Sequence, residues 1–367
     1  MSKTFAFVGN QNRNALPGEG KGISVYAFDN QSGDLTLASE YLAIDNPGYL
    51  AIDEKRKRLY AAVEIPAWNE NMAVAFDIDP VTGALSYINM QPTLGNTTCH
   101  LGFDQTGAMI FASNYTVADF GARPGNAVAA FSIRADGGLE PAFAAAIHEG
   151  PNAVVPTDKR QHGHCAVVSP DNRYVYVCDL GLDRIMAYKL PNQGEGLTLA
   201  STPFTQLPDG AGPRHLTFHP NGKIAFVINE LNSSVSVFRY NADNAELEII
   251  QTLPTLPEDF TTTNTCAEIA VSTDGKFLYG SNRGHDSIVS YTIAPSGEIS
   301  LMGWTPSQGI GPRNFTIDPS GEFMLVANQK GGGIAAFKRD IATGALKDTG
   351  KRVNLPNPMR IVFGTFG

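Results

Sequence analysis

The sequence predicts an all-β protein, a seven-bladed β-propeller of four-stranded antiparallel blades. Three observations point there: one pattern recurs along the chain, each copy is built from short alternating strands, and the two termini complete one another. The 367 residues are read as a single propeller domain, 1–367.

The recurrence is clearest from Gly212, GPRHLTFHPNGKIAFVINELNSSVSVFRY, and from Gly311, GPRNFTIDPSGEFMLVANQKGGGIAAFKR. Further copies begin at His162 and Asn264, and more divergent ones at Pro47 and Thr97. The central apolar residue of each first strand forms a column: Leu50, Leu101, Ala166, Leu216, Ile269, Phe315 and Ile361, spaced 46 to 65 residues apart. β-branched and aromatic residues supply the strands at Ile224–Ile228, Tyr174–Val177 and Phe323–Val326. Turn residues separate them at 220–222 (Pro-Asn-Gly), 273–275 (Thr-Asp-Gly) and 319–321 (Pro-Ser-Gly). The seventh unit is split. Pro358–Phe363 reads as a first strand with nothing after it, and Phe5–Asn10, Ile23–Phe28 and Leu35–Leu42 read as the missing three. Pairing of the N- and C-terminal strands would close the ring and leave no open sheet edge there.

Composition narrows the function classes. With 43% hydrophobic residues the chain can build a large core. A net charge of −9 shows no basic footprint for nucleic acid. The one basic run, Lys55–Arg58, falls at a turn and reads as a solvated loop tip. The absence of an 18-residue apolar run argues against a helical membrane span, and the start lacks a signal-peptide pattern, so the expected compartment is the cytoplasm. Cys99, Cys165, Cys178 and Cys266 match no zinc or redox spacing and are expected as buried packing residues.

The repeat also locates a site. In antiparallel strands one and two, the start of the first and the end of the second share one face, so all seven blades contribute to one channel mouth. Just before strand one stand Gly48, Cys99, His164, Arg214, Ala267, Arg313 and Met359. One residue later come Tyr49, His100, Cys165, His215, Glu268, Asn314 and Arg360. Strand two ends in Asn or Asp in six of seven blades, a sameness expected of a structural cap. Beyond it lie Gln11, Glu64, Tyr115, Leu180, Glu230, Arg283 and Gln329. His219 falls in a turn column of Asp and Ser and is expected to cap a turn. His164, Arg214, Glu230 and Arg283 instead break the blade-to-blade pattern, as a site requires. Arginines gathered on an acidic protein suit the capture of a carboxylate or phosphate.

These residues also carry a resemblance. Gly210-Ala-Gly-Pro-Arg214-His-Leu-Thr-Phe-His219-Pro, then Asn229-Glu230-Leu-Asn-Ser-Ser-Val235, with Gln251–Leu253 and Pro257–Phe260, resemble the bacterial 6-phosphogluconolactonases of the propeller type. That broader family includes fungal carboxy-cis,cis-muconate cyclase. The resemblance runs along nearly the whole chain and is loosest in the first two blades. It implies hydrolysis of a sugar-acid lactone, 6-phosphogluconolactone to 6-phosphogluconate, in carbohydrate metabolism through the pentose phosphate pathway. It implies His164, Arg214, Glu230 and Arg283 as catalytic residues, with Arg313 competing for the place of Arg283.

On this reading Glu230 or His164 activates water, and Arg214 and Arg283 stabilise the oxyanion or bind a carboxylate. His215, Arg313, Lys330 and Gln329 are expected to bind substrate. No G-x-S-x-G elbow or H-E-x-x-H motif occurs, and His162-x-His164 alone falls short of a zinc ligand set. No metal and no cofactor are therefore expected. The expected partner is a small anionic sugar lactone, with neither nucleic acid nor membrane, for a monomer or homodimer. Rival readings are an unphosphorylated galactaro- or glucaro-lactone, a muconate-type cycloisomerisation, and a protein-binding scaffold. Insertions near Thr116–Asn126 and His148–Gln161 are read as substrate-shaping or partner loops.

Overall fold

The structure, a computed structural model, describes residues 2–13, 21–117, 125–148 and 160–367. Residues 118–124 and 149–159 of the two expected insertions lie outside the described residues. The described residues form seven four-stranded antiparallel sheets, as the repeat requires.

The contacts divide the chain into two compact units. The first comprises Met1–Ala61, Phe76–Ile88 and Thr255–Gly367, the second Ala62–Ala75 and Asn89–Pro254. Three whole sheets belong to the first unit; their leading strands are Pro358–Phe366, Thr265–Val271 and Ile310–Ile317. Three belong to the second, led by Thr98–Phe103, Gly163–Val168 and Pro213–Phe218. The remaining sheet, led by Pro47–Asp53, has residues in both.

The split blade assembles as expected. Lys3–Asn10 pairs antiparallel with Pro358–Phe366, from Lys3 opposite Phe366 to Gly9 opposite Arg360. Ile23–Phe28 and Leu35–Tyr41 complete that sheet.

The burial of each strand follows its place in its sheet. Second strands such as Ile224–Asn229 are buried along their whole length, which is why they read as continuous apolar runs. Fourth strands such as Leu35–Tyr41 and Thr198–Gln206 are largely exposed and alternate. Within the second unit, Tyr176, Ile185, Leu216, Val227 and Phe238 share one apolar cluster between adjacent sheets. Within the first, Phe28, Phe323, Leu325, Ile361 and Phe363 do the same.

The Asn column caps strand ends, as its sameness suggested. Asn114 Nδ2 donates to the carbonyls of Thr93 and Asn126 at 2.9 and 3.0 Å. Asn282 donates to Thr255 O and Asn328 to Ser307 O. His219 also caps its turn, accepting from Asn221 N at Nδ1, 3.0 Å. Of the Lys55–Arg58 run, Lys55–Lys57 lie in an exposed turn and Arg58 opens the next strand, with Arg56 and Arg58 paired to Asp53 and Asp77. All four cysteines are buried and unlinked.

Candidate active site

The first strands open with a β-bulge. Pairing slips between Gly163 and Cys165, between Pro213 and His215, between Thr98 and His100, and between Pro312 and Asn314. The skipped residues are His164, Arg214, Cys99 and Arg313, members of the column just before strand one. In a regular strand, neighbouring side chains point to opposite faces. A bulge re-aims a side chain and lets two successive residues work on one side. Arg214 and His215 use this: Arg214 Nη1 lies 3.1 Å from His215 Nε2, although the two are adjacent in sequence.

Arg214 is nearly fully buried, with 2% of its surface exposed. Its Nε stands 2.8 Å from Glu230 Oε2. Glu230 reaches Arg214 because its own amide donates to Gly212 O at 2.7 Å, locking the end of strand two to the start of strand one. Gly212 has φ +63°, and a Cβ there would lie 2.5 Å from Leu231 Cγ, so any other residue at the crossing would be strained. Asp183 steadies the approach by accepting from Gly210 N and Gly212 N.

A guanidinium only donates hydrogen bonds, so His215 Nε2 must be the acceptor. His215 is therefore neutral, with its proton on Nδ1. Its ring meets His164 edge-on at 5.2 Å and His100 at 5.5 Å. The Cys99 thiol lies 3.8 Å from His164 Nδ1. The second unit thus brings together three of the four expected catalytic residues, His164, Arg214 and Glu230, with His215 between the histidine and the arginine.

The other expected residues belong to the first unit. Arg283 Nη2 donates to Cys266 O at 2.9 Å. Gln329 Nε2 donates to Gln11 Oε1, Arg313 is half-buried, and Lys330 is exposed. The same unit holds a charged cluster in the His215 column that was not singled out from the sequence. Arg360 Nη1 and Asn314 Nδ2 both donate to Glu268 Oε2 at 2.5 Å, and the Arg360 guanidinium lies 4.3 Å from the centre of the Tyr49 ring.

Two further features of the second unit escaped the sequence reading. Tyr115 stacks on His162 with ring centres 4.3 Å apart and meets His164 edge-on at 5.7 Å. Asp179 replaces the capping Asn in its blade, and its partners explain why. They are donors: His162 N at 2.8 Å, Leu182 N at 3.1 Å and His148 Nδ1 at 2.5 Å. Asn10, Asn114, Asn282 and Asn328 donate to carbonyls in their blades, whereas an acceptor-only carboxylate is needed here. The side chains of His148 and Asp179 are fully buried. Asp179→Ala leaves three donors without their acceptor and is expected to cost about 3 kcal/mol or more, at about 1–3 kcal/mol for each buried group left unsatisfied. The midpoint of urea unfolding would report it, and an unchanged midpoint would show that the pair does not support the fold.

Among the described residues no group of three or more His, Cys, Asp or Glu side chains is arranged to hold a metal ion. A cavity of about 550 Å³ lies at the far ends of the same strands, lined by Asp104, Thr106, Asn172, Arg173 and Lys189. It contains none of the residues that break the repeat.

The family model "Lactonase, 7-bladed beta-propeller" matches residues 5–363, nearly the whole chain. The chain belongs to this family. This lactonase is 31% identical over 368 residues to the 6-phosphogluconolactonase of Bacillus subtilis (strain 168), covering 99% of both chains. It is 35% identical over 332 residues to the 6-phosphogluconolactonase of Formosa agariphila, covering 89% of this chain and 91% of the relative. Among solved structures, the periplasmic gluconolactonase of Pseudomonas aeruginosa superposes with a TM-score of 0.90 at 30% identity, covering 99% of each chain. The chain is thus a lactonase, an enzyme built as a seven-bladed propeller of four-stranded blades. No helix among the described residues is long and apolar enough to cross a membrane.

Proposed function

We propose that this lactonase opens 6-phosphogluconolactone to 6-phosphogluconate, with His164, Arg214 and Glu230 as its catalytic residues. The observation that carries the catalytic assignment is the clamped arginine. Glu230 holds Arg214 at Nε and His215 holds it at Nη1, beside the ring of His164. A guanidinium fixed before the reaction costs no reorganisation when charge develops on the lactone carbonyl oxygen. His164 takes the proton of the attacking water, since the Glu230 carboxylate is committed to Arg214. Collapse of the tetrahedral intermediate breaks the ring C–O bond, and the proton returns from His164 to the leaving oxygen. Lactone and water become the hydroxy acid, with no cofactor.

The phosphate is supported by relatives named 6-phosphogluconolactonase that align over most or all of the chain. An unphosphorylated gluconolactone is the second reading, favoured by the P. aeruginosa gluconolactonase. The chemistry proposed here is not routed through Arg283, Arg313, Lys330 or Gln329. Four buried, unlinked cysteines support a reducing, cytoplasmic setting. The substrate is tested by comparing kcat/KM for the phosphorylated and unphosphorylated lactones, corrected for spontaneous opening. A preference of at least about tenfold, or 1.4 kcal/mol, for the phosphorylated substrate is expected. Equal or reversed preference would assign the unphosphorylated lactone.

A further inference from the structure

Tyr115 occupies the same repeat column as Glu230 and Arg283, one residue beyond a capping Asn. Its backbone is pinned on both sides. Tyr115 N donates to Thr97 O at 3.0 Å, and Tyr115 O accepts from His162 Nδ1 at 2.5 Å. The ring is fixed by its stack on His162 and its edge contact with His164. The hydroxyl takes part in no hydrogen bond to a described residue. The side chain is only partly buried, so the phenol that meets His164 edge-on keeps a donor accessible to a ligand oxygen.

The charges around the phenol place it in the same site. Burial and the negative charge of Glu230 push its pKa up to about 12, with Arg214 and Arg160 pulling the other way. The group is therefore an intact O–H donor at any pH where a sugar lactone survives.

We propose that Tyr115 is a further catalytic residue, donating a hydrogen bond to the endocyclic ester oxygen of the lactone as the ring C–O bond breaks. This rests on the lactonase chemistry assigned to His164, Arg214 and Glu230. Arg214 serves the carbonyl oxygen, and Tyr115 serves the leaving oxygen. No proton is consumed: the phenol keeps its own, and the leaving oxygen receives the one that His164 took from water. The position also explains an aromatic residue in a polar column, since phenol combines a ring that can stack on His162 with a donor at its tip.

Tyr115→Phe removes the hydroxyl and keeps the stack. With 6-phosphogluconolactone and gluconolactone, kcat is expected to fall about 10–100-fold, within the range for one lost transition-state donor, with KM changed less than threefold. The thermal midpoint should stay within a few degrees of wild type. On a gluconothiolactone, whose leaving sulfur is a weak acceptor that needs little help, the defect should shrink to a few-fold. A Tyr115→Phe variant with wild-type kcat, or one equally impaired on oxygen and sulfur lactones, overturns the assignment while leaving the lactonase chemistry intact. A folded wild-type chain inactive on all three lactones overturns the underlying chemistry, and this assignment with it.

Discussion

Replacing Arg214 with Ala is expected to lower kcat/KM for lactone opening by about 10²–10³-fold, the loss seen when one pre-organised oxyanion donor is removed. The size follows from its surroundings. Arg214 is 2% exposed and contacts Glu230 and His215 at 2.8 and 3.1 Å, so no solvent cation can take its place. Arg214→Lys is the informative companion. A single ammonium cannot reproduce a fork that meets a carboxylate at Nε and an imidazole at Nη1. Its activity should fall between alanine and wild type. Removal of the guanidinium also leaves Glu230 facing a site without its counter-charge, so Arg214→Ala should unfold at lower denaturant than wild type. Initial rates by pH-stat, read beside a urea curve for each variant, separate the two effects. Near wild-type kcat/KM in a folded Arg214→Ala would remove the arginine from the mechanism.

The second large effect is alkaline unfolding. Burial, the leading cause in each case, raises the pKa of Tyr115 to about 12 and pushes Tyr176, Tyr188, Tyr240 and Tyr291 higher still. An unfolded tyrosine titrates near pH 10. Below that pH both states keep their phenolic protons, and the tyrosines do not affect stability. Above it the unfolded chain releases protons that the folded chain retains, so the unfolded state binds fewer and stability falls as pH rises. Each tyrosine contributes a slope of about 1.4 kcal/mol per pH unit, so five give roughly 7 kcal/mol per unit. Against a typical total of about 5–15 kcal/mol, that is enough to unfold a domain within one or two units above pH 10. Tyrosinate absorbance at 295 nm should rise in one cooperative step as the far-UV circular dichroism is lost. A gradual tyrosinate titration centred on pH 10, with the circular dichroism intact, would contradict this.

Much of the fold was legible because its signals are local. Turn residues, apolar runs and the repeated Asn each act within a few residues, so seven copies reinforce one reading. The completion of the last blade by Lys3–Asn10 could be read because a first strand without followers has one partner available. His164, Arg214 and Glu230 were visible as departures from blade symmetry, and the structure places His215 between His164 and Arg214. What could not be read was direction. The bulge at 213–215, which turns two adjacent side chains to one side, depends on pairing with the next strand and has no signature in the residues themselves.

Tyr115 was in a column already marked for its charged members, but an aromatic residue in a β-protein reads as core. Only its stack on His162 and its edge contact with His164 single it out. His148 lies in an insertion with no counterpart in other blades, so alignment could not pair it with Asp179. A signal did exist there: Asp179 was the one carboxylate in a column that otherwise holds five Asn and Val63. The Arg360, Glu268 and Asn314 cluster was likewise spread over three blades, its members present in one rim column but set apart only by their contacts.

The central claim is that this chain opens a sugar lactone with its own side chains and water. The direct test is acid release by the purified, folded wild-type protein in unbuffered solution, titrated at constant pH against the spontaneous rate on freshly prepared 6-phosphogluconolactone and gluconolactone. The account predicts opening of the phosphorylated lactone with kcat/KM above about 10⁴ M⁻¹s⁻¹, the lower end for ordinary enzymes. Acid release no faster than the spontaneous rate on both substrates would contradict it.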